Sequence, residues 1–146
     1  MAGERLGRLR STMAQLGVDW VLTADPINIT YATGVRNMNV FSLMGPSRLL
    51  LVGHDESVVW EFAGSEHLSR SCALVDDVRT APGLTPLSGP GYKEEITAFA
   101  ADIASLTGAR NGKSSSLAVE RIDHEITDGL RSAGCSLRSA TEVFVE

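Results

Sequence analysis

Two apolar segments separated by a polar turn are the feature that most restricts the fold of this chain. Residues 48–52 (RLLLV) and 57–62 (SVVWEF) are rich in strand-forming side chains, and Gly53–Glu56 between them has the composition of a turn. Three consecutive leucines open the first strand, so both of its faces are expected to be buried. The pattern predicts a β-hairpin, and because hairpin strands are antiparallel, it excludes a purely parallel sheet.

The segments around this hairpin alternate between helix and strand patterns. Apolar residues recur every three or four positions from Glu4 to Leu16, which predicts an amphipathic helix ended by Gly17. Asp25 and Pro26 are typical of a helix N-cap and first helical position. Further helices are predicted over 28–33, 64–71, 92–106 and 123–133, further strands over 19–23, 73–78, 117–119 and 136–138, and loops over 35–47 and 81–91.

This order of elements predicts an α/β fold, a three-layer α/β/α sandwich around a mixed sheet of five or six strands. A length of 146 residues predicts one domain, residues 1–146. The net charge of −5 argues against nucleic-acid binding, and no apolar run is long enough to span a membrane. Two cysteines are too few for a disulfide framework and indicate an intracellular, cytoplasmic protein.

The residues that usually carry chemistry form no complete set. His54, His67 and His124 lie far from one another and from any cysteine, so no metal site is predicted in this chain. Cys72 is placed at the start of an apolar strand, where a thiol stays protonated and unreactive. Carboxylates are expected at strand ends only at Asp19, Asp76 and Asp77, too few for an acidic active site. We therefore predict no catalytic, cofactor-binding or metal-binding residue here.

One stretch resembles a known family. Residues Arg5–Gly17 read Arg-x-x-x-Leu-x-x-x-Met-x-x-x-Gly, and after a strand come Asp25–Gly34, DPINITYATG. This stretch looks like the amino-terminal domain of the creatinase/prolidase/Xaa-Pro aminopeptidase family of pita-bread metallohydrolases. The resemblance implies a ribonuclease-H-like fold and a cytoplasmic parent protein, with a Xaa-Pro peptidase as the expected parent enzyme. It leaves open two other activities of the family, creatine hydrolysis and a lyase reaction on a sulfonium propionate.

The same resemblance implies that catalysis and substrate access belong to different domains. Family members catalyse with a pair of divalent metal ions (Mn, Co or Zn) in a separate carboxy-terminal domain that this chain lacks. Their amino-terminal domains pack in homodimers and place a loop near the active-site mouth of the partner subunit; in this chain the loop corresponds to 35–47. The candidate substrate-gating residues are Arg36, Asn37, Asn39 and Phe41.

Two residues of the turn before that loop are expected to be structural, and a second function remains open. Asn28 is expected to satisfy backbone groups of the turn, and Tyr31 to pack on the sheet. The alternative function is a stand-alone module of the same fold that binds a small ligand or a protein. This alternative needs no catalytic domain elsewhere.

Overall fold

The computed structural model describes residues 2–35, 48–109, 115–120 and 122–145, with helices and strands in alternation. Strands β2 and β3 form the predicted hairpin, and a short 3₁₀ turn at Pro86–Ser88 precedes the longest helix. The helices are α1 (Ala2–Leu16), α2 (Pro26–Thr33), α3 (Glu66–Arg70), α4 (Tyr92–Thr107), α5 (His124–Ser132) and α6 (Thr141–Val145); the strands are β1 (Trp20–Thr23), β2 (Leu49–Val52), β3 (Ser57–Glu61), β4 (Asp77–Thr80), β5 (Ser116–Glu120) and β6 (Ser136–Ser139).

The strands form one six-stranded mixed sheet in the order β4-β3-β2-β1-β5-β6. Strand β2 is antiparallel to both of its neighbours, β1 and β3, and the other three pairs, β3/β4, β1/β5 and β5/β6, are parallel. Leu50 faces Val59 across the hairpin, and Val52 faces Ser57. The predicted hairpin and the mixed sheet are therefore confirmed.

Helices cover both faces of the sheet, which confirms the three-layer prediction. Leu49 and Leu51 belong to the core on the side of α4 and α5, whereas Leu50 and Val52 belong to the core on the side of α1, α2 and α6. Successive side chains of a strand point to opposite faces, so the leucine run fills both cores. Among the described helices, none has the length and apolar character needed to cross a membrane.

The local signals at the amino-terminal helices act as the sequence predicts. Leu6, Leu9 and Met13 form the buried stripe of α1. The Asp25 carboxylate accepts hydrogen bonds from the backbone N–H groups that open α2, and Gly34 ends this helix at φ 76°. A left-handed residue is favourable for glycine because it has no Cβ. These caps fix where α2 starts and stops relative to β1.

Two predictions of local structure are wrong, and one helix was not predicted. Strand β4 lies at Asp77–Thr80 and not at 73–78, because the preceding residues form a turn pinned to β3: Asp76 accepts a hydrogen bond from the Ser57 N–H at 2.7 Å. Cys72 consequently lies in the turn after α3, half-buried, and not in a strand. A helix, α6, occupies 141–145, where no helix was predicted.

Candidate functional site at the carboxyl edge of the sheet

The carboxyl ends of five strands lie along one edge of the sheet. Strands β1, β3, β4, β5 and β6 point the same way, and only β2 runs against them. Helix α2 therefore starts at this edge, and the chain re-enters the sheet there at β2. In α/β sheets this is the edge where functional groups collect, because the loops that follow the strands meet there.

A buried ion pair links two strands at this edge. Arg48 is 4% exposed and Glu61 is 0% exposed, and Arg48 Nε lies 2.6 Å from Glu61 Oε1. The Ser69 hydroxyl on α3 donates a hydrogen bond to the other carboxylate oxygen, so both oxygens of Glu61 have partners. Such pairing is required, since an unpaired charge in the interior is strongly unfavourable.

Arg48 also joins the two ends of the segment 36–47. It directly follows that segment, and its Nη1 donates a hydrogen bond of 3.1 Å to the carbonyl of Val35, which directly precedes it. The backbone N–H of Val35 in turn donates to the Thr33 hydroxyl at 3.1 Å. Arg48 Nη2 is buried and has no hydrogen-bond partner among the described residues. The base of the segment is thus fixed to β2 and β3.

A second polar cluster surrounds Glu120 at the end of β5. Asn28 Nδ2 on α2 donates a hydrogen bond of 2.6 Å to Glu120 Oε1, and the Thr23 hydroxyl lies 3.4 Å from the same oxygen. Burial is the main reason that the pKa of Glu120 is raised; the bond from Asn28 opposes the rise, and the nearby charge of Asp25 adds to it. The cluster ties α2 to β5 across β1.

Two residues of α2 have partners other than those predicted. The Asn28 side chain contacts the Glu120 carboxylate and not backbone groups of the turn. Tyr31 is 38% exposed and does not pack on the sheet: the Arg5 guanidinium of α1 lies 5.5 Å from the centre of its ring. Arg5 Nε also donates to the Tyr31 carbonyl at 2.7 Å, so this pair fastens α1 to α2.

The three acids that were predicted at strand ends lie at the opposite edge of the sheet. Asp19 and Asp76 precede β1 and β4, and Asp77 begins β4, so all three lie at the amino edge of the sheet. The acids that end strands at the carboxyl edge are Glu61 and Glu120. Neither was predicted as a strand-end acid, because the expected strands ended at other residues. One was expected to end at 62, one residue after Glu61, and the other at 119, one residue before Glu120.

Arg48 could have been found from the hairpin itself. Leu49 faces Trp60 across the hairpin. Because the two strands are antiparallel, the residue before Leu49 faces the residue after Trp60, which brings Arg48 opposite Glu61. Opposite charges facing each other across strands are a recognised stabilising pair. The predicted substrate-gating residues Arg36, Asn37, Asn39 and Phe41 lie outside the described residues, and their role stays a prediction.

The described residues do not fit a divalent metal pair. In the described ranges, no three His, Cys, Asp or Glu side chains come together to hold a metal ion. His54, His67 and His124 are exposed, as the sequence indicates. What the carboxyl edge offers is two hydrogen-bonded clusters that hold α2 and the ends of segment 36–47 in place.

A mixed six-stranded sheet between two helical layers, with this polar carboxyl edge, defines an α/β domain of the kind found in the metallohydrolases named above. The chain belongs to the Creatinase/Prolidase N-terminal domain family, whose model matches residues 5–143.

Several solved structures share the fold. The N-terminal domain of cytoplasmic peptidase PepQ from Mycobacterium tuberculosis superposes with a TM-score of 0.64 at 20% identity, covering 98% of each chain. A Xaa-Pro aminopeptidase from Streptococcus thermophilus gives a TM-score of 0.68 at 14% identity, covering 99% of this chain and 95% of that one. At these identities the likeness establishes the fold alone.

One curated relative is more similar in sequence. Dimethylsulfoniopropionate lyase DddP of Roseovarius nubinhibens is 32% identical over 121 residues. The match covers 81% of this chain but 27% of the lyase. The chain therefore corresponds to only a part of that relative.

Proposed function

We propose that this chain works as the non-catalytic amino-terminal domain of a cytoplasmic creatinase/prolidase-type metalloenzyme, contributing to dimerisation and to substrate access. The divalent metal pair of such an enzyme belongs to a catalytic domain outside residues 1–146. Family membership supports this proposal, since the matching model describes an N-terminal domain.

The observation that carries the proposed role in substrate access is the contact of Arg48 with Glu61 and with the Val35 carbonyl. A segment that presents side chains to a substrate works only if its ends are held in a fixed position. Arg48 supplies such a fixed base for segment 36–47, from a buried site at the carboxyl edge of the sheet. Within the segment, the Arg36 guanidinium suits a substrate carboxylate, which it can bind through two parallel hydrogen bonds.

The reaction of the whole enzyme has two candidates. The peptidase names of the structural relatives favour cleavage of Xaa-Pro peptides, with the metal pair activating water in the catalytic domain. The relative with 32% identity is named as a lyase of dimethylsulfoniopropionate, which favours that sulfonium propionate as the alternative substrate. Both candidate substrates carry a carboxylate, so a guanidinium at position 36 suits either one.

Two assays test the proposal. First, residues 1–146 alone are incubated with Mn²⁺ and either a Xaa-Pro dipeptide or dimethylsulfoniopropionate, and we expect no product; turnover by this chain alone would refute the accessory role. Second, Arg36→Ala is made in a protein that contains both this domain and its catalytic domain. We expect a higher KM or altered specificity with an unchanged melting temperature.

The matched control for the second assay is Arg8→Ala, which removes an exposed arginine from α1. The control variant is expected to keep both KM and melting temperature. Lower stability with an unchanged specificity profile in Arg36→Ala would contradict a role in substrate access. Dimerisation is tested separately by light scattering of the two-domain protein with and without residues 1–146, and an unchanged oligomeric state would contradict that part.

A further inference from the structure

A small groove lies on the opposite side of β3 from the Arg48 cluster, between strand β4 and helix α4. Its volume is about 140 Å³. The apolar floor contains Trp60 and Phe99, whose rings meet edge to face with their centres 5.2 Å apart. Glu95 and Asp102 of α4 line its rim. Neither polar cluster of the carboxyl edge uses these residues.

The charge of the groove is unbalanced. Glu95 and Asp102 are seven residues apart, two helical turns, and therefore lie on the same face of α4. Both are exposed, and neither has a hydrogen-bond or ion-pair partner in the described part of the chain. The groove also contains one cation, Arg79, which is paired with Asp77 at 2.8 Å and whose guanidinium lies 5.8 Å from the centre of the Trp60 ring. Two carboxylates thus remain to attract a further positive charge.

The groove lies beside an open sheet edge. Among the strands that the structure describes, β4 is the last one on this side of the sheet, so half of its backbone N–H and C=O groups have no described strand to pair with. An extended peptide can add to such an edge, with backbone hydrogen bonds giving affinity and an adjacent pocket selecting a side chain. The charged pair Asp77–Arg79 on the edge disfavours addition of a purely apolar strand.

The size of the groove decides between a whole small molecule and one side chain. Pockets for drug-sized ligands measure about 300–1,000 Å³, and this groove, at about 140 Å³, is well below that range. We propose that β4 and this groove form a docking site for an extended peptide segment, which adds to the β4 edge and inserts a Lys or Arg side chain between Glu95 and Asp102. This inference is independent of the proposed accessory function.

The probe is the peptide acetyl-Thr-Val-Thr-Lys-Thr-Val-Thr-amide, titrated into ¹⁵N-labelled protein at low salt. We expect saturable amide shifts in β4 and along one face of α4, and weaker binding as salt is raised. The same peptide with Glu in place of Lys is expected not to bind. A peptide N-methylated at alternate residues keeps the lysine but cannot pair with a strand edge, and it is expected to lose binding as well.

The double variant Glu95→Gln/Asp102→Asn tests the protein side. Both residues are exposed, so the fold is expected to persist, and loss of two exposed ion pairs is expected to weaken binding about tenfold. The matched control Glu94→Gln, on the same helix but outside the groove, is expected to bind as the unmodified protein does.

Three results would overturn the proposal. Equal binding of the N-methylated peptide would show that no strand is added. Equal binding by the double variant would show that the groove does not select the cation. Concentration-dependent dimerisation through β4, measured by sedimentation and unaffected by the peptide, would show that the edge belongs to a second copy of the chain.

Discussion

The buried pair Arg48–Glu61 gives a prediction that can be worked out quantitatively. Its two side chains are 4% and 0% exposed, and their charged atoms are 2.6 Å apart. Removing one partner of such a pair leaves an uncompensated buried charge, which typically costs about 3–5 kcal/mol. We therefore expect Arg48→Met and Glu61→Leu each to lower the free energy of unfolding by about 3–5 kcal/mol.

The double variant is expected to behave differently. With both charges replaced by apolar side chains, nothing charged remains buried at that position, and such exchanges are often neutral or stabilising. Some loss is still expected, because the Ser69 hydroxyl and the Val35 carbonyl each lose a partner, at about 1–3 kcal/mol for each unsatisfied group. The two single losses therefore do not add, and the coupling energy is expected to be about 3 kcal/mol.

Urea denaturation followed by circular dichroism measures all four proteins of this cycle. A domain of this size is expected to have about 5–15 kcal/mol of stability, so each single variant should lose a large part of it while the transition remains measurable. Thermal midpoints are expected to fall by roughly 2–4 °C for each kcal/mol. Single losses below about 1 kcal/mol that add in the double variant would refute the reasoning, since that is the behaviour of an exposed pair.

Three further predictions concern other described residues. Burial raises the pKa of Glu120, so the stability that Glu120 contributes is complete below the ordinary pKa of 4.5 and is lost as the pH rises through the folded-state pKa. The Glu120→Gln variant is therefore expected to be more stable than the unmodified protein at neutral pH, and this difference is expected to vanish in acid. A difference in urea midpoints that does not change with pH would contradict this prediction. Gly53→Ala places a Cβ 2.6 Å from the Trp20 ring, so we expect a loss of about 1–3 kcal/mol by urea denaturation, and an unchanged midpoint would show that the ring moves freely. Burial also raises the pKa of the Cys135 thiol, whereas Cys72 is only partly buried; a disulfide reagent is expected to modify Cys72 first, and equal rates for the two thiols in the native protein would contradict the burial.

The overall fold was accessible from the sequence because its strongest signals are local. The leucine run, the turn at Gly53–Glu56 and the stripe of α1 each report burial directly, and the structure confirms all three. Strand β4 was misplaced because three apolar residues before Asp76 resemble a strand. In the structure they lie in a turn, and a long-range contact with Ser57 decides this. Such contacts leave no periodic pattern in the sequence.

The carboxyl edge was less accessible for the same reason. Glu120 and Asn28 are 92 residues apart, and only the neighbouring positions of β1 and β5 bring them together. The residues that the resemblance assigned to substrate gating were chosen by position in the family pattern and not by contacts. A sequence gives the order of strands along the chain, whereas a shared edge depends on their order in the sheet.

The location of the buried charges supports a geometric role for them. Among the described residues, Arg48 and Glu61 are the charged side chains that are buried, and Arg48 contacts both Glu61 and Val35, the described residue before segment 36–47. A buried ion pair is weak evidence for stability, because apolar replacements often serve as well. The bond from Arg48 to the Val35 carbonyl, however, is one that an apolar residue cannot make. In the two-domain protein, the double variant Arg48→Met/Glu61→Leu should therefore remain folded, with a smaller loss of stability than the two single variants together, while its specificity changes as it does in Arg36→Ala. If that variant retained its specificity, the ion pair would have no part in substrate access.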